Sequence, residues 1–146
     1  MIAEENGLVK LIFWQKEVPT SFITLNSEVT PLVHVHWNPI DRMRFGAVAD
    51  RKWLVWNLGR MGVRVTVPER TEEAHMEGGR LFQWSTLSPD LLATASLRDT
   101  LKIHDIRGTE LVHPYPQRTR VADLSWQKGG RWLVITADTF LKFISI

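Results

Sequence analysis

His34 and His36, in the stretch LVHVHWNP, are the side chains whose spacing best suits a metal ion. Residues at i and i+2 lie on one face of a strand, and imidazole is a common ligand. Val33, Val35 and Trp37 take the other face, and spacing fixes no third His, Asp or Glu beside the pair, so packed or edge histidines are expected instead. Asp41, Asp50, Asp99 and Asp138 are the carboxylates that could act as acid or base. Each falls in a stretch that reads as a turn, where Asp accepts backbone N–H groups, and a structural role is expected for all four. No Gly-x-Ser-x-Gly, Walker-type glycine loop or His-Glu-x-x-His occurs. Zero cysteines exclude a disulfide framework, a thiolate zinc site and a cysteine nucleophile. The chain therefore reads as a non-enzyme: no catalytic, cofactor-binding or metal residue is assigned, and no cofactor or small-molecule substrate is expected.

Arg42, Arg44, Arg51, Lys52, Arg60 and Arg64 form the densest basic stretch, interleaved with Trp53 and Trp56, a pattern that superficially suits stacking on nucleic acid. Alternating strand positions with charge outside and Trp inside are the expected reading. With 18 basic and 16 acidic side chains scattered along the chain, no basic stripe forms, and no obligatory nucleic-acid partner is expected. Arg118 and Arg120 read as solvated or interface residues of the loop HPYPQRTR, which Pro114 and Pro116 keep out of a ladder.

The elements that must position these residues are short. At 146 residues, 44% hydrophobic and 23% charged, the chain is the size of one globular domain. The opening MIAEENG is acidic where a signal peptide is basic, and no apolar run approaches the roughly 20 residues of a membrane span. A soluble, non-secreted chain without membrane insertion is expected. Apolar segments of five to eight residues recur between Pro, Gly, Asn and Asp clusters, which is a strand signature. The best helix candidate, PERTEEAHM from Pro68 to Met76, is polar and short and reads as a loop with at most one turn. The fold class is all-β.

Self-comparison finds a period. Leu32–Leu58, Leu81–Ile106 and Val121–Ile146 share one plan: a strand ending in Trp, a turn, a small-residue strand ending near Asp, and a strand resuming after it. Trp37, Trp84 and Trp126 fall 47 and 42 residues apart, and Asp50, Asp99 and Asp138 fall 49 and 39 apart. Such spacing with four strands per unit is that of a WD40-type β-propeller. ENGLVKLIFW and SFITLNS supply two strands of an earlier unit. The expected organisation is the end of one blade over 1–27, blades over 28–70 and 71–117, and a last, incomplete blade over 118–146. That is thirteen strands, two whole and two partial blades of an expected seven, an incomplete propeller.

The repeated slots have physical roles. The Trp is a large plug between one sheet and the next. Ala47, Ala49, Ala93, Ala95 and Ala137 suit a crowded axis. His75, Ser96 and Asp99 are candidates for the buried hydrogen-bond network of WD repeats, with Trp56 in the tryptophan slot of the unit before; Asp50 and Asp138 hold the Asp slot of their own units. His104 replaces Trp in its unit, HD for WD.

Two stretches carry a more specific likeness, GAVADRKWLVWNLGR (Gly46–Arg60) and HMEGGRLFQWSTLSPDLLATAS (His75–Ser96). With the ENGLVK opening they resemble the small WD-repeat nucleoporin family, of about thirty-seven kilodaltons, in the Y-shaped outer-ring complex of the nuclear pore, and they match its C-terminal half. The resemblance implies a non-catalytic scaffold subunit, supporting pore assembly and nucleocytoplasmic transport of protein and mRNA. Its implied partners are a large propeller-and-solenoid nucleoporin and other Y-complex subunits. The implied location is the nucleus, at the pores of the nuclear envelope, and by the same resemblance kinetochores in mitosis. A WD-repeat adaptor of another assembly, such as a ubiquitin-ligase substrate receptor or a chromatin complex, is the alternative. Two whole blades cannot close a ring that usually needs four or more, so the isolated chain is expected not to be a stable closed monomer.

Overall fold

The apolar runs fold as strands, and the Gly, Asn and Asp clusters between them turn the chain back on itself. The computed structural model describes residues 1–60, 66–96, 98, 100–108, 110–111, 120–137 and 140–146. Among them are fourteen strands in four antiparallel sheets, and no helix. The first sheet holds β1 (Ile2–Ala3), β2 (Leu8–Gln15) and β3 (Val18–Asn26). The second holds β4 (Leu32–Trp37), β5 (Arg44–Ala49), β6 (Lys52–Asn57) and β7 (Arg70–Glu73). The third holds β8 (Gly79–Trp84), β9 (Leu91–Ser96), β10 (Leu101–Asp105) and β11 (Glu110–Leu111). The fourth holds β12 (Val121–Trp126), β13 (Trp132–Ala137) and β14 (Phe140–Ser145). With no helix among the described residues, none is long and apolar enough to cross a membrane.

Two expectations need correction. PERTEEAHM is not all loop: Arg70–Glu73 forms β7, which pairs Lys52 with Glu73 and Val55 with Arg70. It is polar because it is an outermost strand, paired on one side only, and charge on such an edge discourages further pairing. β7 also runs across the 70/71 boundary expected between two units and belongs to the second sheet. The first sheet has three strands rather than two, because Ile2 and Ala3 pair with Lys10 and Val9. Two residues are too few to leave a pattern in the sequence.

The repeat is visible in the ladders. The first strand of the second, third and fourth sheets carries one register shift, between Leu32 and His34, Gly79 and Leu81, and Val121 and Asp123. A bulge recurring at one position is a property of the unit and bends each strand where it enters its sheet. The sheets stack in chain order, with one apolar core per junction. Val9, Leu11 and Leu25 meet Phe45, Leu54 and Trp56 between the first two sheets. Val48, Trp53 and Val55 meet Phe82, Trp84 and Leu92 between the second and third. Leu101 and Ile103 meet Leu124, Trp126, Leu133, Ile135 and Ile144 between the third and fourth. The five slot alanines are fully buried, so the sheets approach closely. Gly46 shows how closely: a Cβ there would stand 2.2 Å from the Phe82 ring.

Trp84 and Trp126 plug their junctions, 1% and 6% exposed, but Trp37 in the same slot is 39% exposed. The Phe45 ring already fills the space, stacked on Trp56 at 4.8 Å and 7°, and Trp37 packs edge-on against its flank at 5.3 Å.

Candidate functional site: a buried histidine chain and its rims

β9 and β10 carry the polar centre of the molecule. Thr94 Oγ1 lies 2.9 Å from His75 Nε2 and 2.8 Å from His104 Nε2, and His75 Nδ1 lies 2.8 Å from Thr100 Oγ1. His75 reaches in from the connection between β7 and β8. Thr94, His75 and His104 are all buried. A hydroxyl between two imidazoles donates to one and accepts from the other, which suits two neutral rings. Burial holds both rings neutral. It pushes His75 down to about 4, aided by the Lys102 charge and opposed by the bond to Thr94; it pushes His104 down to about 3, aided by His75 and then Lys102. The Trp53 ring, 5.7 Å from that of His104, closes the chain toward the second sheet.

Of the expected network residues, His75 lies in this chain, with the Thr94 and Thr100 hydroxyls beside its ring nitrogens. Ser96, two residues along the same face as Thr94, accepts the backbone N–H groups of Arg98 and Thr100 and shapes the turn after β9. His104 holds the Trp slot of this unit, pairing with Leu92 in register as Trp56, in the same slot of the unit before, pairs with Phe45. Trp56 is fully buried in the preceding junction, and its indole nitrogen has no hydrogen-bond partner among the described residues. Asp50 sits in a turn with φ of 46°, its backbone carbonyl accepting the Gly79 N–H at 2.6 Å. Asp99, Asp138, Arg64, Pro114, Pro116 and Arg118 lie outside the described residues. Thr94 had a sequence signal, the LLATAS alternation that sets it on the same face as Ser96, but not one that chose between them.

The other candidates are structural in this fold. His34 Nδ1 lies 3.0 Å from Phe82 O and accepts the Phe82 N–H at 3.2 Å, so the ring joins β4 to β8; Trp84 N points to His36 Nδ1 at 3.4 Å. Burial, then the His34 charge, lowers the His36 pKa. Among the described residues no three His, Cys, Asp or Glu gather as a metal-holding group. Asp41 accepts the Met43 N–H and lies 3.3 Å from Arg44 Nε, the turn role expected of it. In the basic stretch, Arg44, Lys52 and Arg60 pair with Asp90, Glu73 and Glu69, while Trp53 and Trp56 are buried where no base could stack on them.

One rim is latched from sheet to sheet. Asn38 donates to Pro89 O at 2.8 Å, Arg44 donates to Asp90 at 3.0 Å, and Thr86 donates to Gln127 O at 2.6 Å. Arg107 grips Asp105 through two nitrogens and holds its carboxyl below the usual range. Arg70 donates to the Ile106 carbonyl and stands over the Trp53 ring. These bonds tie neighbouring loops into one stiff surface. The two end sheets differ: Trp14, Phe22, Leu141 and Phe143 are each at least 61% exposed.

Comparison with known proteins follows this architecture. No family model matches the chain. It is 31% identical to the nucleoporin Nup37 of Homo sapiens over 98% of its length and 43% of that protein's. It is 35% identical to Nup37 of Mus musculus over 64% of the chain and 27% of that protein. Coronin-7 of Rattus norvegicus is 23% identical over 90% of the chain and 15% of its own length. The chain thus spans less than half the length of these curated relatives. A chain in a crystal structure of the mitotic checkpoint complex superposes with a TM-score of 0.73 at 15% identity, over 97% of this chain and 44% of that one, a likeness of fold.

Proposed function

Because the chain is homologous to the WD-repeat nucleoporins, we propose that it is a non-catalytic scaffold component of the nuclear pore that acts by binding other proteins of the outer ring. The observation that carries this reading is the 31% identity to human Nup37 over 98% of the chain.

The mechanism is surface complementarity on a stiff support. The loop latches between neighbouring sheets hold Asn38, Arg44, Asp90 and Thr86 in fixed relation, so a partner docking on this rim loses little freedom of the chain in binding. Aromatic and Arg side chains are the expected anchors of such a contact. The partner of choice, by the family resemblance, is the large propeller-and-solenoid subunit of the Y complex, and the site of action is the nuclear envelope. Expression of the tagged chain tests this directly: a punctate nuclear rim and co-purification of outer-ring subunits are expected. Diffuse fluorescence with no nucleoporin recovered would sink the proposal.

A further inference from the structure

The second and third sheets are internal, each covered on both faces by a neighbouring sheet, and their latched turns meet on one rim. The turn 38–43 after β4 is bonded to the segment after β6, where Leu58 donates its N–H to Met43 O at 2.7 Å. It is bonded also to the turn 85–90 after β8, through Asn38 and Pro89 O at 2.8 Å. Asp90 O accepts the Ile106 N–H at 2.9 Å, which draws in the turn after β10. These turns form one continuous surface.

At Arg60 and Arg107 of this surface the guanidinium stands outside its carboxylate. The Arg60 side chain is 72% exposed and that of its partner Glu69 32%; Arg107 is 70% exposed, while Asp105 and Asp90 beside it are 6% and 25%. Arg60 meets Glu69 through one nitrogen and Arg107 meets Asp105 through two, so both keep N–H donors beyond those bonds. Arg42 is exposed in the turn 38–43 and has no ion pair among the described residues. The large apolar side chains that these turns expose are aliphatic, with Ile40, Met43 and Leu87 each 44–47% exposed. The opposite rim differs in kind: among its described residues Glu28, Asp50 and Glu77 are exposed alongside Arg51 and Arg98.

A surface that turns guanidinium groups outward among aliphatic side chains is complementary to carboxylates set among apolar residues. The planar fork matches a carboxylate with charge-assisted bonds, and the aliphatic groups add area removed from water. Nucleic acid is also anionic, but a single strand is held through bases stacked on rings, and Ile40, Met43 and Leu87 supply none. We propose that this rim docks a segment of a partner protein in which carboxylates flank aliphatic side chains. The inference rests on the reading of the chain as a protein-binding scaffold and adds where on it, and to what chemistry, a partner binds.

A fluorescent peptide of glutamate and leucine, titrated with the purified chain and followed by anisotropy, is the test. Saturable binding is expected, weakened about tenfold by Arg42→Glu and by Leu87→Glu, and weakened further as salt screens the charges. Arg51→Glu makes the same charge change on the opposite rim and should leave affinity within about twofold, with circular dichroism confirming that each variant is folded. No saturable binding, equal binding of polyglutamate or of a glutamine–leucine peptide, or equal weakening by Arg51→Glu overturns the proposal. Tighter binding of single-stranded DNA would assign the rim to nucleic acid, and wild-type self-association abolished by Arg42→Glu would assign it to a second copy; either result overturns the proposal as well. Recovery of outer-ring subunits with the tagged chain decides the pore reading separately. If none is recovered, that reading falls and the titration still decides this one; a failed titration with subunits recovered removes this inference alone.

Discussion

The leading faces of the third and fourth sheets use the same backbone slots in opposite ways. In the third, the slots hold Thr94 and His104, with the Thr94 hydroxyl bridging His104 and His75; in the fourth, Ile135 and Ile144 occupy them. Both sets are buried. A β-unit of this kind therefore accepts either a fully paired polar chain or plain apolar packing at one geometry. The difference is in what each depends on. The isoleucines stabilise by removal from water, which pH does not touch, whereas the histidines stabilise only while neutral and mutually bonded.

Ile135→Ala should be the largest single loss, about 2–5 kcal/mol in denaturant unfolding, from lost burial plus a cavity between the third and fourth sheets. A loss below about 1 kcal/mol would mean that junction is not packed as described. Acidification comes next. Both histidines titrate lower in the native chain, at about 4 and about 3, than the 6.5 of an exposed ring, so the unfolded chain binds protons first as pH falls. Stability should be flat above pH 6.5 and should drop below it by about 1.4 kcal/mol per pH unit per histidine, down toward the native values. Replacing His104 with the fourth sheet's residue, His104→Ile, should roughly halve that slope; an unchanged slope would refute the assignment.

Thr94→Val keeps the shape but removes the hydroxyl between the two rings, and a cost of about 1–3 kcal/mol is expected from the unpaired imidazole nitrogens. Hydrogen exchange of the β9 and β10 amides would localise that loss. Asp90→Asn should be smallest, about 1 kcal/mol or less, because its link to Arg44 is partly exposed and screened. A larger effect would show that the rim latch, not the buried chain, holds the second and third sheets together.

How much of this was legible depends on range. The strand class, the period and the turn role of Asp41 follow from neighbours in sequence, and they stand in the structure. β7 was missed because an outer strand needs no apolar face, so Arg70–Glu73 carries no strand pattern. β1 was missed for want of length. The histidine chain is half legible: His75 and His104 stand out in the sequence, but Thr94, which bridges them, shares its face with Ser96. Period two puts positions 94 and 96 on one face, and only the approach of the preceding connection decides which hydroxyl the imidazole meets.

Sequence by itself determined the all-β repeat, since alternation, turn chemistry and small-residue slots act over a few residues and recur in each unit. Tertiary structure decided what each slot does. Trp37, Trp84 and Trp126 are one slot by sequence, yet the first is half-buried and the others plug a junction, because the Phe45–Trp56 stack already fills the space. Leu141 and Leu101 are likewise one slot, exposed in one sheet and buried in the other. Burial is a property of the sheet standing opposite, and no local pattern records which sheet that is.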